Sequence, residues 1–393
     1  MWKSEWARRI DKLKVLVLGC GMMGSVIAMD MAERDGVSDV VVADFDKKKP
    51  ERLVARLKSE KISGHRIDVK DEQATRKLMK GVDIAVCALP VNLSVFVSKA
   101  AVGAGVHLVD LMSGDRPLEL DTPARKAGIT ILVDCGVAPG ITNILAGRGA
   151  NLMDEVDNIS IVCGGIPQKP IPPLGYKIVW STEELINMYC GKVKIVRDGK
   201  ISEVDAMSGL EQIEFSEIGM LEAFYTDGLS TLLHTMKGRV KNMGEKTARW
   251  PGHAQKILAM RDTGFFDTEP VEIHGANVIP REVAVSVLEK TLRLGEEKDL
   301  TALRVDVSGR KDGKEVELSF SMMDFFDETH GVTSMARTTG YTAAIVARMV
   351  ARGEIKERGV IPPEIGVVKV YKKFTSELQE RGIRIQENSR IKE

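Results

Sequence analysis

The residues Gly19-Cys20-Gly21-Met22-Met23-Gly24 have the types and spacing to hold a diphosphate. They follow an apolar run at 14–18 and open a segment of helical period at 25–34. That is the context in which a GxGxxG turn binds a dinucleotide. Gly19 permits the tight turn, Gly21 lets backbone approach an anion, and Gly24 lets the helix pack close to the strand. The helix start at Met22 and Met23 offers unpaired N–H groups and about half a positive charge. Asp44 ends the next apolar run, at the spacing where a carboxylate accepts ribose hydroxyls and repels a 2′-phosphate. NAD is therefore expected, although Lys47, Lys48 and Lys49 follow closely and keep NADP open. A turn or capping role is the alternative for Asp44. Asp68 and Val69, in Arg66-Ile67-Asp68-Val69, are placed to border the adenine. Asp68 is placed to end the third strand, and Ala88, Leu89 and Pro90 close the fourth and are expected along the cofactor toward its nicotinamide, or else form an ordinary strand end.

The elements that must position these residues alternate. Apolar, β-branched runs at 14–19, 39–44, 82–89, 106–110 and 129–135 are separated by segments of helical period. Repeated βα units predict an α/β, Rossmann-type, doubly wound parallel sheet. After about Pro139 the pattern changes. The runs 193–197 and 200–204 flank Asp198-Gly199, and 301–309 and 315–324 flank a segment with Asp312-Gly313, both hairpin signals. Helices are expected at 228–236 and 283–294, and the proline-rich stretch 164–175 reads as a loop. The division predicted is a dinucleotide-binding domain at 1–140, an α+β domain with a mainly antiparallel sheet at 141–334, and a segment at 335–393 whose small-residue helix returns to the first domain. A short strand or helix pair is expected near 367–385, and the charged tail from Gln386 is expected to fray.

Composition narrows the function classes. The chain has 393 residues with 56 basic and 56 acidic side chains, so it lacks the basic excess of a nucleic-acid binder. No run of ~18 apolar residues predicts a membrane span, and the charged first fourteen positions lack the apolar core of a secretory signal. Five cysteines without CxxC spacing and six scattered histidines without HExxH suggest neither a disulfide framework nor a metal centre. A reducing, cytoplasmic setting is the expectation.

Three further segments join the glycine turn and Cys87-Ala88-Leu89-Pro90 in one pattern. They are 133–143, which includes Asp134-Cys135-Gly136 and Pro139-Gly140-Ile141-Thr142-Asn143; 222–228 with 245–253; and 333–341. Together they resemble the saccharopine dehydrogenase-like family over about residues 14–370, and within it the pattern is most like lysine 6-dehydrogenases. The resemblance implies a Rossmann domain, an α+β domain that binds an amino-acid substrate and forms a homodimer, and a late helix that returns to the first domain. The sequence departs from fungal-type saccharopine reductases at Ala138, where those carry an acid, and at Asp227, where those carry an arginine. An acid in place of that arginine suits a cationic amine.

The reaction so implied oxidises the ε-carbon of L-lysine, with ammonia and allysine as products. A free ε-ammonium, with a pKa of ~10.4, has no lone pair to expel a hydride. Asp227 and Tyr225 are candidates for holding or deprotonating the amine, while a helix N-cap is the competing role for Asp227. Arg249 is the candidate for the α-carboxylate, because guanidinium binds carboxylates bidentately. His253 is a candidate proton relay or carboxylate ligand. Lys246 and Thr247 share the same segment. Asp115 is expected near the crevice or in a turn, and Thr142 or Asn143 is expected to touch substrate from the hinge. Cys135 has no paired base and is not needed as a nucleophile. Saccharopine or carboxynorspermidine dehydrogenation is the rival activity, and a nucleotide-binding sensor without turnover is the rival from another class.

Overall fold

The computed structural model describes residues 12–112, 116–178 and 180–391. They form two compact units. The first gathers the described residues up to Arg148 with Ser230–Thr235 and Ala336–Ile383, and the second gathers Gly149–Leu229, Met236–Met335 and the residues from Arg384.

In the first unit the strands are β1 (Leu13–Leu18), β2 (Val37–Asp44), β3 (Ile62–Arg66), β4 (Ile84–Cys87), β5 (His107–Asp110), β6 (Thr130–Leu132) and β17 (Gly359–Ile361). Among the described residues their order is β17-β6-β5-β4-β1-β2-β3, and every pairing is parallel. This is the doubly wound sheet that the alternating runs predicted, with order reversing between β1 and β4. Between the strands lie α1 (Met22–Glu33), α2 (Lys48–Leu57), α3 (Glu72–Met79), α4 (Val91–Ala104) and α5 (Asp121–Lys126), with α6 (Ile141–Ala150) after β6. The central strands are apolar on both faces; Val15, Leu16, Val17 and Leu18 are fully buried.

The second unit is built on β7 (Glu155–Pro167), β8 (Lys192–Arg197), β9 (Lys200–Asp205), β10 (Glu211–Phe215), β11 (Gly219–Tyr225), β12 (Val240–Arg249), β15 (Asp299–Lys311), β16 (Lys314–Phe325) and β18 (Ile385–Ile391). The path β10-β11-β12-β7-β15-β16-β18 is antiparallel except where β12 runs parallel to β7, and β8 branches from β12 to carry β9. A separate hairpin joins β13 (Val271–Ile273) to β14 (Ala276–Val278). Helices α7 (Thr182–Met188), α9 (His253–Asp262) and α10 (Pro280–Leu292) belong to this unit, and Tyr189, Phe224 and Leu300 lie in its core. The two hairpins read from Asp-Gly dipeptides are β8–β9 and β15–β16.

The remaining helices are α8 (Leu232–Thr235), α11 (Ser334–Ala351), α12 (Pro363–Gly366) and α13 (Tyr371–Glu380). From Ala336, α11 lies in the first unit, where a Cβ at Gly340 would come within 3.0 Å of Val26 on α1. The small residue therefore sets how closely those two helices approach. Arg381, just past α13, grips Asp30 of α1 with Nε–Oδ1 2.7 Å and Nη2–Oδ2 2.9 Å, both side chains fully buried.

Three expectations need correction. The stretch 164–175 is not all loop: its first four residues belong to β7, which pairs with β15 as far as Pro167. The helix expected at 228–236 shrinks to α8, because Ser230 adopts a left-handed backbone with φ +43° and its hydroxyl donates to Asp134. The tail from Gln386 does not fray: β18 pairs with β16 from Ile385 to Ile391. From Gln386 onward its side chains are exposed, so it has no apolar period, and its ladder with β16 places it at the sheet edge.

Candidate functional site

In the first unit the glycine turn has the shape of an anion cradle. A Cβ at Gly24 would lie 1.8 Å from the Gly19 carbonyl oxygen, and Gly19 itself has φ +100° and presses against the Ala88 carbonyl. These two glycines hold turn, helix and neighbouring strand together. Gly21 differs: a Cβ there would meet nothing within 4 Å. The fold does not need that position bare, so the open space fits an approaching ligand. Gly21 is the N-cap of α1 and supplies no side-chain cap, which leaves the first amides of the helix for an anion. The residues fit a dinucleotide.

The surrounding residues are placed as follows. Met22 is exposed and Met23 half-buried at the start of α1. Asp44 ends β2, and its Oδ2 accepts from the Cys20 amide at 2.9 Å while Oδ1 accepts from Asp46 N at 3.0 Å. Each oxygen keeps a further lone pair for a hydroxyl. Lys49 Nζ stands 3.7 Å from Oδ1, a cation beside the acid. Ile67 N donates to the Asp44 carbonyl, bringing the Asp68 turn beside β2, and Asp68 Oδ1 accepts from Lys70 N. Val69 points into the core. Ala88 and Leu89 are half-buried, and Pro90 opens α4.

Thr142 and Asn143 are fully buried. Asn143 Oδ1 accepts from Gly140 N and from the Thr142 hydroxyl, both at 3.1 Å, so this pair organises the start of α6. Sequence reading missed the buried acids around them. Asp110, at the end of β5, is pushed up to about 7 by burial and accepts from the Ser94 hydroxyl. Glu364 is also pushed up to about 7 by burial, and accepts from Thr231 at 3.0 Å and Thr235 at 2.6 Å. Cys135 is buried and its thiol is pushed up, chiefly by burial and then by Asp134, which suits a structural role. Asp115 lies outside the described residues.

In the second unit the candidates divide between the two faces of β12. Side chains alternate along a strand, so Glu245, Thr247 and Arg249 share one face and Lys246 takes the other. Lys246 pairs with Glu211 at 2.9 Å, donates to the Gly209 carbonyl at 2.6 Å and sits 4.7 Å above the Tyr225 ring. Tyr225 lies directly opposite Lys246 in the ladder and packs beside Val193 and Ile195. The structure therefore joins Tyr225 to Lys246 and puts neither with Arg249.

Arg249 is buried at 3% exposure. Its Nε donates to the Tyr189 hydroxyl at 3.1 Å, its Nη1 donates to the Ala248 carbonyl, and its guanidinium lies 4.6 Å above the Tyr176 ring. Tyr189 in turn lies 2.9 Å from His253 Nε2, and His253 Nδ1 lies 3.0 Å from the Leu174 carbonyl. A carbonyl can only accept, so Nδ1 carries the proton and Nε2 accepts from Tyr189. Burial and then the Arg249 charge hold His253 down to about 3, so it stays neutral. Both ring nitrogens are engaged in orienting Tyr189 and hence Arg249. Glu222 faces Arg249 across the ladder, but its carboxylate accepts from Gly252 N at 2.9 Å and Ala254 N at 2.5 Å at the start of α9. Thr247 bonds Thr226 hydroxyl to hydroxyl at 2.8 Å. Asp227 is not the N-cap of a following helix, since α8 begins at Leu232. Its neighbour across the turn is Glu245, whose carboxyl is pushed up to about 8 by burial and then by the Asp227 charge.

Residues 15–132 match the family described as Saccharopine dehydrogenase NADP binding domain, and residues 136–383 match the Saccharopine dehydrogenase C-terminal domain. The chain belongs to the saccharopine dehydrogenase family. It is similar to a carboxyaminopropylagmatine dehydrogenase of Synechocystis (25% identical, 89% of this chain, 92% of the relative). It is also similar to the saccharopine dehydrogenase [NADP(+), L-glutamate-forming] of Saccharomyces cerevisiae (23% identical, 89% of this chain, 93% of the relative). It spans only 40% of the alpha-aminoadipic semialdehyde synthase of Arabidopsis thaliana, to which it is 24% identical over 89% of its own length. In fold it matches the apo saccharopine dehydrogenase of Saccharomyces cerevisiae with a TM-score of 0.81 at 22% identity, covering 96% of this chain and 100% of that one.

Membership in this family of oxidoreductases agrees with the resemblance read from the glycine turn and the 133–143, 222–253 and 333–341 segments. Sequence reading did not find Tyr176, Tyr189 or Glu245 as site residues. Tyr189 follows an amphipathic helix with no motif to mark it. Glu245 opens the very segment that carries Arg249, and its burial was the missing signal. No described helix is long and apolar enough to cross a membrane.

Proposed function

We propose that this chain catalyses nicotinamide-dependent oxidation of the ε-carbon of L-lysine, releasing ammonia and allysine. The observation that carries this reading is Arg249, a buried guanidinium held by Tyr189, Tyr176 and a carbonyl with no carboxylate among those partners. Burying a charge to which no carboxylate is bonded is costly, and an amino-acid carboxylate is the complement that offsets it. Asp227 and Glu245 favour lysine over saccharopine, because a second or third carboxylate near them would meet like charge. A bound nicotinamide dinucleotide supplies the hydride acceptor. Gly19, Gly21, Gly24 and the start of α1 would hold its diphosphate, and Asp44 its ribose. NAD is the cofactor proposed; Lys49 beside Asp44 makes NADP the alternative to test. A cytoplasmic homodimer is part of the same proposal, from the family resemblance and the five free cysteines.

The test is reduction of NAD or NADP by the purified protein with L-lysine, saccharopine or carboxynorspermidine, following reduced cofactor and released ammonia. Reduction with lysine supports the proposal. Reduction with saccharopine but not lysine replaces it with the rival dehydrogenase, and cofactor binding without any reduction replaces it with a sensor. Asp44→Arg should lower use of NAD relative to NADP; an unchanged ratio removes Asp44 from the ribose.

A further inference from the structure

Glu245 is 4% exposed, and its Oε2 has no hydrogen-bond partner among the described residues. A buried acceptor without a donor is destabilising, so such an atom calls for an explanation. The chain makes room for it. A Cβ at position 228 would lie 1.6 Å from that oxygen, so only glycine leaves the carboxyl in place. Asp227 occupies the apex of the adjoining turn, which closes with Gly228 N donating to the Thr226 carbonyl at 3.1 Å. A buried carboxyl with an open acceptor, within reach of the charge of the exposed Asp227, matches a cation that brings its own donors.

Strand β12 carries both groups on one face: Glu245 and Arg249 stand four residues apart, about 13 Å between their backbone positions.

We propose that the Glu245–Asp227 carboxyl pair receives the protonated terminal amine of the substrate and that Glu245 removes its proton. This rests on the reading of the second unit as the domain for an amine-bearing amino acid. An ammonium carries three donors, which serve Oε2 of Glu245 and the Asp227 carboxylate together. In the step itself one N–H bond of the ammonium breaks and one O–H bond forms on Glu245. The amine keeps the electron pair it needs to expel a hydride from the adjacent carbon, and Glu245 becomes neutral. A carboxyl held at about 8 lies near working pH, where a base is most effective. The groups facing Glu245 are Asp227 from its turn and Cys163 from β7, which also lies near Arg249. Burial keeps Cys163 a thiol, and Arg249 stays a cation, so the carboxyl pair is what changes charge.

Calorimetry of L-lysine binding counts the protons. The protein is loaded with saturating reduced dinucleotide so that no turnover occurs, and binding is measured at pH 7 in two buffers of different ionisation enthalpy. The wild type should release about one proton as the bound cation ionises Glu245. Glu245→Gln should release none and bind at least ~10-fold more weakly, in line with a lost charged hydrogen bond. L-norleucine, which lacks the terminal amine, should release none. Asp227→Asn should move the midpoint of proton release to lower pH, because a like charge is gone. Equal release by wild type and Glu245→Gln, or absence of lysine binding, overturns the proposal. If Glu245→Gln does not fold, an unmoved midpoint in Asp227→Asn overturns it instead. Lysine turnover with an unchanged proton count leaves the proposed activity standing and removes Glu245. Proton-linked binding without turnover does the reverse.

Discussion

The hydroxyl of Tyr189 stands 3.1 Å from Nε of Arg249 and 2.9 Å from Nε2 of His253, so one phenol couples a buried cation to a buried neutral imidazole. The guanidinium is fixed in direction before any ligand arrives. Preorganisation of this kind lowers the cost of binding a carboxylate.

Tyr189→Phe keeps the ring in the core and removes the acceptor for Arg249. Loss of a hydrogen bond to a charged group is worth about 1.5–3 kcal/mol. KM for the amino acid is therefore expected to rise roughly 10- to 100-fold with a smaller change in kcat. Steady-state kinetics check this; a fall in kcat with KM unchanged would mean that the relay does not act on substrate binding.

His253 should not titrate in the neutral range. Its folded pKa, about 3, lies below the ordinary 6.5. The unfolded chain therefore binds the extra proton between those values, and the stability this group contributes is present above 6.5 and lost as pH falls toward 3. NMR of the imidazole from pH 5 to 8 should show a constant neutral tautomer. A titration near 6.5 would contradict the assignment.

Glu245 gives the opposite slope. Its folded pKa of about 8 lies above the ordinary 4.5, so the folded protein holds a proton that the unfolded chain has released in between. That contribution is fully present below 4.5 and lost as pH rises through about 8. Relative to Glu245→Gln, the wild type should lose roughly 2–5 kcal/mol of unfolding free energy between pH 5 and 9. Urea unfolding at the two pH values measures it, and parallel behaviour of the two proteins would show that Glu245 ionises freely.

Gly21→Ala and Gly24→Ala separate cradle from fold. A Cβ at position 21 would meet nothing within 4 Å, and φ there is −77°, so alanine should leave Tm nearly unchanged. It should nonetheless weaken dinucleotide binding by ~10-fold or more, as the methyl enters the anion's space. At position 24 the Cβ collides with the Gly19 carbonyl, so both stability and binding should fall. Thermal melts and cofactor titration distinguish the two; unimpaired binding by Gly21→Ala would place the diphosphate elsewhere.

Arg381→Ala tests how the late helical segment is held in the first unit. Among the described residues it leaves Asp30 buried with the partly exposed Arg34 as its remaining ion-pair partner, and breaking a buried pair costs about 3–5 kcal/mol. Chemical denaturation reads the loss. A change below 1 kcal/mol would mean that Asp30 takes up its proton without penalty.

Local pattern decided a great deal here. The glycine turn, the alternating runs from Leu13 to Leu132 and the Asp-Gly hairpins depend on neighbours in sequence, on steric freedom at φ > 0 and on side-chain period, so the residues themselves reveal them. The strand Gly359–Ile361 was invisible because three residues carry no period, and it exists through pairing with β6, more than two hundred positions away. Strand β18 was invisible for the opposite reason, since from Gln386 onward its side chains are exposed on both faces. At the site, sequence named Arg249, His253 and Asp227 by residue type. Only the folded chain decided that Lys246 and Tyr225 take the other face of the sheet, that both His253 ring nitrogens are engaged by Tyr189 and the Leu174 carbonyl, and that Glu245 is buried against Gly228. Those outcomes come from strand alternation, from register between distant strands and from loss of water around a charge, which are properties of packing and not of any short stretch of sequence.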